Sequence, residues 1–122
     1  MAFGVARGLI AASMIPESAR GWAELMRREA RARMAHLLTP GTVLCLPTTP
    51  FPAPRTGQSQ SALQPLRDRI LCLCAHGGLT GVPQVSLPGT TVEGLPVGLS
   101  IAAAPGADAL LVGIALALQG AA

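Results

Sequence analysis

The chain has 122 residues, half of them hydrophobic, and a net charge of +3. Much of the hydrophobic content is alanine, and the aromatic residues are Phe3, Trp22 and Phe51. Aromatic rings supply much of the buried area in most cores, so an independent core would be thin and a piece of a larger α/β protein is favoured. All nine basic residues are arginine. Chemistry that needs a lysine, such as a Schiff base, is therefore excluded within this chain.

The first predicted helix runs from Glu17 to about Leu38, with apolar residues at helical spacing on one side. Four arginines lie on the other side, interleaved with Glu24 and Glu29. This mixture favours a solvated helix face over a nucleic-acid-binding surface, so we predict no nucleic-acid partner. The preceding residues, 1–19, imitate a signal peptide only faintly, and secretion is disfavoured.

A short apolar run from Thr42 to Pro47 predicts a buried strand. The segment "TTPFPAPRTGQSQS" follows, and the closely spaced prolines 47, 50, 52 and 54 exclude a regular helix or a central strand. We therefore predict an extended, stiff loop. Such a loop at the end of a strand often borders a binding cleft in α/β proteins, although a plain connector fits the pattern equally well.

The remaining elements follow in order along the chain. A helix is predicted from about Ala62 to Ala75, with the glycines of "HGG" as its left-handed cap. Strands are predicted at 83–88 and 95–104, joined as a hairpin through the turn region 89–94. A last helix begins near Asp108, which complements its amino end, and runs to about Gln119. Its apolar stretch is too short to span a bilayer, so we predict no membrane association.

Reactive side chains are few, and their spacing is uninformative. Serines, His76 or His36, and an aspartate compose a catalytic triad only if geometry unites them, and Ser86 and Ser100 fit packing or hydrogen-bonding roles on strands better. "CLCAH" lacks the usual metal-ligand spacing, which favours buried structural cysteines. We expect no metal or other cofactor. The odd cysteine count favours a reducing, cytoplasmic setting over a disulfide framework.

Three segments, in order, resemble the carboxy-terminal part of the amidase signature family: "LLTPGTVLCLPTTPFPAPRTG", "RILCLCAHGGLTGVPQVSLPG" and "GLPVGLSIAAAPGADALLVGIA". The resemblance covers roughly residues 37–119. The residues that match the family's pattern are Pro47, Thr48, Pro50, Ala53, Pro54, Gly81, Pro83, residues 84–88 and 94–99, Gly106, Asp108, Leu110 and Leu111. The resemblance implies one partial α/β domain with a mixed sheet flanked by helices, in which residues 1–36 are a helical lead-in and residues 37–122 are the amidase-like region.

The resemblance also implies an activity, the hydrolysis of a carboxylic amide to an acid and an amine or ammonia. In that family a serine nucleophile is activated through a second serine, with a cis peptide bond, and a lysine, and backbone N–H groups stabilise the oxyanion. The glycine- and serine-rich signature and the lysine have no counterpart here, so no catalytic residue can be carried over. The loop residues Thr48, Pro50 and Phe51 are candidates for one wall of the substrate cleft.

Three hypotheses follow from these observations. The first is a carboxy-terminal fragment of an amidase-family hydrolase that acts on a small-molecule amide and is inactive alone. Such a fragment is either the product of a split or misread gene or a chain that pairs with another one carrying the catalytic half. The second is a non-catalytic binding or structural module. The third is a small hydrolase with a new triad around His76. The wording "GVPQVSLP" is more similar to the family's small-amide hydrolases than to its transfer-RNA amidotransferase subunits.

Overall fold

The computed structural model describes residues 3–120, which form four helices and one three-stranded sheet. In chain order the elements are α1 (Phe3–Ser13), α2 (Glu17–Leu37), β1 (Val43–Pro47), α3 (Gln60–Thr80), β2 (Gln84–Val92), β3 (Leu95–Ala103) and α4 (Asp108–Gly120). The predicted class, part of an α/β fold with helices flanking a sheet, is confirmed. The strands within the described residues are all antiparallel.

Strand β3 lies at the centre of the sheet, between β1 and β2. Strands β2 and β3 form the predicted hairpin, but the turn is only two residues, Glu93 and Gly94, with φ angles of 53° and 76°. Two consecutive positive φ angles match the right-handed twist of a tight hairpin, and glycine adopts such an angle without strain. The predicted turn, residues 89–94, was longer because residues 90–92 in fact pair with β3. Their pairing follows a register shift between Leu87 and Thr90, which the sequence pattern does not indicate.

The core lies on both faces of β3, because successive strand side chains point to opposite sides. Ile101 and Ala103 pack against Leu111 of α4, whereas Ala102 packs against Leu38 at the end of α2. The buried apolar residues of the described chain are Leu38, Val82, Leu87, Val97, Ile101, Ala102, Ala103, Leu111 and Ala115. None of these is aromatic, which agrees with the thin core expected from the composition.

The predicted burial of β1 is wrong, although the strand itself is confirmed. Leu44, Cys45 and Pro47 are exposed. Strand β1 hydrogen-bonds to β3 on one side and is an edge strand of the described sheet. A continuous apolar run is typical of strands covered on both faces. Within residues 3–120, the helices do not provide that cover for β1.

Helix α3 is longer at both ends than the predicted 62–75 segment. The Ser59 hydroxyl caps its amino end by accepting a hydrogen bond from the Ala62 N–H at 3.2 Å. At the other end, Gly77 and Gly78 lie inside the helix, and the left-handed cap is Gly81, with φ 80° and its N–H donating to the Gly77 carbonyl at 2.8 Å. The prediction placed the cap one turn too early, because glycine also tolerates ordinary helical angles.

We expect Gly81→Ala and Gly78→Ala to have opposite effects on stability. A β-carbon at Gly81 would stand in the left-handed region, which costs about 1 kcal/mol. No atom lies within 4 Å of a β-carbon built at Gly78, and an alanine inside a helix gains about 0.5–1 kcal/mol over glycine. Urea unfolding of the two variants measures both values. Equal changes would contradict the assignment of Gly81 as the cap.

Helix α1 lies within the predicted helical lead-in of residues 1–36, but it was not predicted as a helix separate from α2. It contacts α3 through a hydrogen bond of 2.6 Å from the Arg7 guanidinium to the Gln64 side-chain carbonyl. The predicted α2 is confirmed, and the arginines 27, 28, 31 and 33 on it are all exposed. Of the helices in residues 3–120, none combines the length and the apolar character needed to cross a membrane.

Candidate functional site

The proline loop, residues 48–59 between β1 and α3, borders two clefts. The first cleft has a volume of about 300 Å³ and is lined by Pro47, Thr49, Pro50, Phe51, Pro52, Val92, Val97, Gly98 and Leu99. The second cleft has a volume of about 260 Å³ and is lined by Thr48, Thr49, Phe51, Pro52, Ala53, Pro54, Ile70, Ser86, Pro96 and Gly98. Each volume is close to the low end of ligand-pocket sizes, about 300 Å³, so these clefts suit small ligands.

The three residues predicted for a cleft wall all lie at these clefts. Pro50 lines the first cleft, Thr48 lines the second, and Phe51 lines both. Two contacts fix the loop around Phe51. The Thr49 hydroxyl donates to the Phe51 carbonyl at 2.9 Å, and the Arg69 guanidinium carbon lies 5.4 Å from the centre of the Phe51 ring. A cation over an aromatic face at this distance is attractive, so Arg69 of α3 holds the loop against the helix.

Thr48 joins the loop to the sheet and to α3. Its N–H donates to the Gly98 carbonyl at 2.7 Å, which extends the pairing of β1 and β3 by one residue. Its carbonyl lies 2.8 Å from the Cys74 thiol of α3, which donates to it. Its hydroxyl oxygen lies 2.6 Å from the Ser86 hydroxyl and 2.9 Å from the Ser100 hydroxyl. The hydrogen-bonding role predicted for these two strand serines is confirmed.

Gly98 is required where the loop and the two strands meet. A β-carbon built there would lie 2.7 Å from the Thr48 hydroxyl oxygen, 2.9 Å from that of Ser86 and 3.1 Å from the Thr48 β-carbon. This role was not predicted, since Gly98 was only part of the matched pattern of residues 94–99. A glycine inside a strand pattern often marks a close approach, which is the signal that was available.

A catalytic triad around His76 is not assembled. Its Nδ1 lies 2.9 Å from the Leu73 carbonyl, so Nδ1 carries the proton and donates to that carbonyl. Its Nε2 is buried and has no hydrogen-bond partner within the described part of the chain. Ser86 and Ser100 instead bond to Thr48. The arrangement therefore lacks the nucleophile–base contact that defines a triad.

The cysteines of "CLCAH" differ from the expected buried pair. Cys72 is exposed and Cys74 is half-buried, and together with Cys45 all three are free thiols. Helical residues two apart point in different directions, so only Cys74 reaches Thr48. Within residues 3–120, no three side chains of His, Cys, Asp or Glu are grouped as metal ligands would be. What the clefts offer is an apolar wall, several hydroxyl groups and one nearby guanidinium.

A sequence model of the amidase family matches residues 5–112. The chain is 36% identical over 91 residues to Amidase 1 of Oryza sativa subsp. japonica, a match that covers 75% of this chain and 21% of that protein. It is also 36% identical over 103 residues to a glutamyl-tRNA(Gln) amidotransferase subunit of Thermus thermophilus, covering 84% of this chain and 21% of that protein. The chain thus spans about a fifth of the length of these curated relatives.

Solved structures show the same likeness. A crystal structure of an amidase superposes with a TM-score of 0.79 and 27% identity over 98% of this chain and 29% of that chain. The fold also matches the crystal structure of a glutamyl-tRNA(Gln) amidotransferase subunit from Thermotoga maritima, with a TM-score of 0.59 and 23% identity over 88% of this chain and 25% of that one. The predicted resemblance is confirmed, and the chain belongs to the amidase family.

Proposed function

We propose that this chain forms one wall of the substrate cleft of an enzyme that hydrolyses a small carboxylic amide to an acid and an amine or ammonia. Thr48, Pro50 and Phe51 contribute to that wall. The observation that carries the proposal is the position of the proline loop, which borders two small clefts in a chain whose family match spans residues 5–112.

We propose further that the 122-residue chain is inactive alone and that the nucleophile, its activating serine and the lysine are supplied from outside it. The absence of lysine from the sequence supports this, because the family's proton transfer needs that residue. The hydrogen bonds of Ser86 and Ser100 support it as well. Both serines bond to another hydroxyl rather than to a base that would remove a proton.

The exposed apolar surface favours association with the rest of an amidase fold. Trp22 is 66% exposed and Leu25 is 62% exposed on α2, and Leu116 is 64% exposed on α4. Trp22 and Leu25 are three residues apart and so lie on one face of α2, and a contiguous exposed apolar patch often marks an interface. Because the chain spans about a fifth of the length of its relatives, the partner we propose is a polypeptide carrying the remaining part of the amidase fold. The free thiols fit the cytoplasmic setting that we propose for this assembly.

Ammonia release tests the proposed function. The purified chain, incubated with a panel of simple aliphatic and aromatic amides, is expected to release ammonia no faster than buffer. Mixing it with a rice Amidase 1 variant that lacks the matching segment is expected to restore turnover, and neither component alone should do so. A matched mixture with bovine serum albumin in place of the chain is the control.

Two outcomes would contradict the proposal. Turnover by the chain alone that survives repurification would mean that 122 residues without lysine hydrolyse amides. His76→Ala would then test whether that activity depends on His76. Tight association with the truncated amidase without any turnover would instead favour a non-catalytic binding or structural module.

A further inference from the structure

Three hydroxyl groups form a connected chain on one face of the sheet. Ser86 of β2 and Ser100 of β3 stand directly opposite each other in the strand register. The Thr48 hydroxyl oxygen lies 2.6 Å from that of Ser86 and 2.9 Å from that of Ser100. Thr48 is therefore the middle member, and each end of the chain is a serine.

The burial of Ser100 sets the direction of these hydrogen bonds. Three hydroxyls carry three protons, and the two contacts use two of them. Ser100 is 0% exposed, and its hydroxyl bonds to Thr48. A buried donor left without an acceptor is costly, so the Ser100 proton goes to Thr48. Thr48 is half-buried, and Ser86 and Ser100 are the only partners of its hydroxyl within the described residues, so its proton goes to Ser86 rather than being left without an acceptor. Ser86 is exposed, and its own proton remains available.

The hydroxyl proton of Ser86 lies at the second cleft. Ser86 is exposed and lines that cleft together with Phe51 and Ile70. Hydrogen bonds in series polarise one another, so Ser86 is a stronger donor than an isolated serine. The cleft consequently presents one oriented O–H group against a largely apolar wall.

We propose that Ser86 is a positioning residue that donates a hydrogen bond to the carbonyl oxygen of a small carboxamide bound in the second cleft. This inference rests on the proposed function, since it names the group that the amide cleft recognises. The ligand class is a compact apolar body with one carboxamide, because the cleft volume is about 260 Å³ and its walls are mainly carbon. Ser86 orients the amide and performs no covalent chemistry.

The probe for this inference is benzamide, titrated into the 122-residue chain and followed by the backbone amide NMR shifts of Thr48, Thr49, Phe51 and Ala53 in the proline loop. Ser86→Ala is expected to raise the dissociation constant about fivefold, within the range that one hydrogen bond supplies. Ser86→Thr, which keeps the hydroxyl, is expected to restore binding to within about twofold of the original. Ser18→Ala, at an exposed position on α2, is the control and should leave the constant unchanged.

A second ligand separates hydrogen bonding from a change of cleft shape. α-Methylstyrene has nearly the shape of benzamide but replaces the carbonyl oxygen and the amide nitrogen with carbon. Its affinity should be the same for the original chain and for Ser86→Ala, so only the preference for benzamide is lost. Equal weakening of both ligands would overturn the inference, because it would assign Ser86 a purely structural role.

Two further outcomes are distinguishable from failure of the proposed function. No benzamide-induced shifts at Thr48, Thr49, Phe51 and Ala53, or equal affinity of the Ser86→Ala and original chains, would overturn the inference even if the reconstituted assembly released ammonia. Benzamide binding that depends on Ser86 would support the inference even if that assembly released none.

Thr48→Val, which removes the middle hydroxyl, should weaken benzamide binding about twofold through the lost polarisation.

Discussion

Leu111→Ala is expected to destabilise the protein by about 3 kcal/mol, within the range for leucine removal from a core. Leu111 is 0% exposed and packs against Ile101 and Leu87 of the sheet and Ala115 of its own helix. The loss is large because the core on this face of the sheet consists mainly of small and aliphatic side chains, which cannot collapse into the cavity. Urea unfolding followed by far-UV circular dichroism measures the change.

Leu116→Ala is the matched control on the same helix. Leu116 is largely exposed, so the same substitution should change stability by less than about 0.5 kcal/mol. If the two variants lost equal stability, Leu111 would not be the contact that holds α4 against the sheet. If Leu111→Ala fails to fold, its partner Ile101 offers a milder change, and Ile101→Val should cost about 1 kcal/mol.

Gly98→Ala is expected to cost about 2–3 kcal/mol, in the upper part of the range for overpacking. The new β-carbon would lie within 3 Å of the hydroxyl oxygens of Thr48 and Ser86, and Thr48 cannot rotate away without breaking two hydrogen bonds. The strand must therefore shift, which also separates the proline loop from the sheet. Unfolding midpoints in urea measure the loss of stability.

Two comparisons make the Gly98 prediction specific. Gly113→Ala adds the same methyl group in α4, where nothing lies within 4 Å of the β-carbon, and it should stabilise the protein by about 0.5–1 kcal/mol. In the double variant Gly98→Ala with Thr48→Ala, the closest of the three contacts, 2.7 Å to the Thr48 hydroxyl oxygen, is removed, so the total loss should be smaller than the sum of the single losses. Strict additivity would show that the two residues do not share this contact.

Local patterns were sufficient to predict most of the elements. Helical spacing predicted α2, and the predicted strand at 83–88 is observed, with Val85 and Leu87 on the face towards α4 and Ser86 on the other face. The carboxyl end of α3 was not predictable in this way. Gly77 lies inside the helix and close to Gln84 of β2: a β-carbon built at Gly77 would be 3.2 Å from the Gln84 side-chain oxygen. A contact of this kind between two elements cannot be recognised from the local sequence.

The candidate site, too, was predicted only in part. Closely spaced prolines predicted a stiff loop at the end of a strand, and Thr48, Pro50 and Phe51 do line clefts. The polar side of the second cleft was not predicted. Thr48 and Ser100 are brought together by the pairing register of β1 with β3, and the local sequence does not reveal that register. Register between distant strands depends on packing of the whole sheet, and a single sequence does not specify it.

The pairing of β1 with β3 also has a consequence during protein synthesis. Thr48 and Ser100 are 52 residues apart in the chain. At elongation rates of about 5–20 residues per second, roughly 3–10 s pass between the synthesis of β1 and that of its partner strand β3. The β2–β3 hairpin closes within microseconds of emerging. The apolar segment 43–46 is therefore unpaired for seconds during synthesis, and we expect it to be exposed to chaperones in that time.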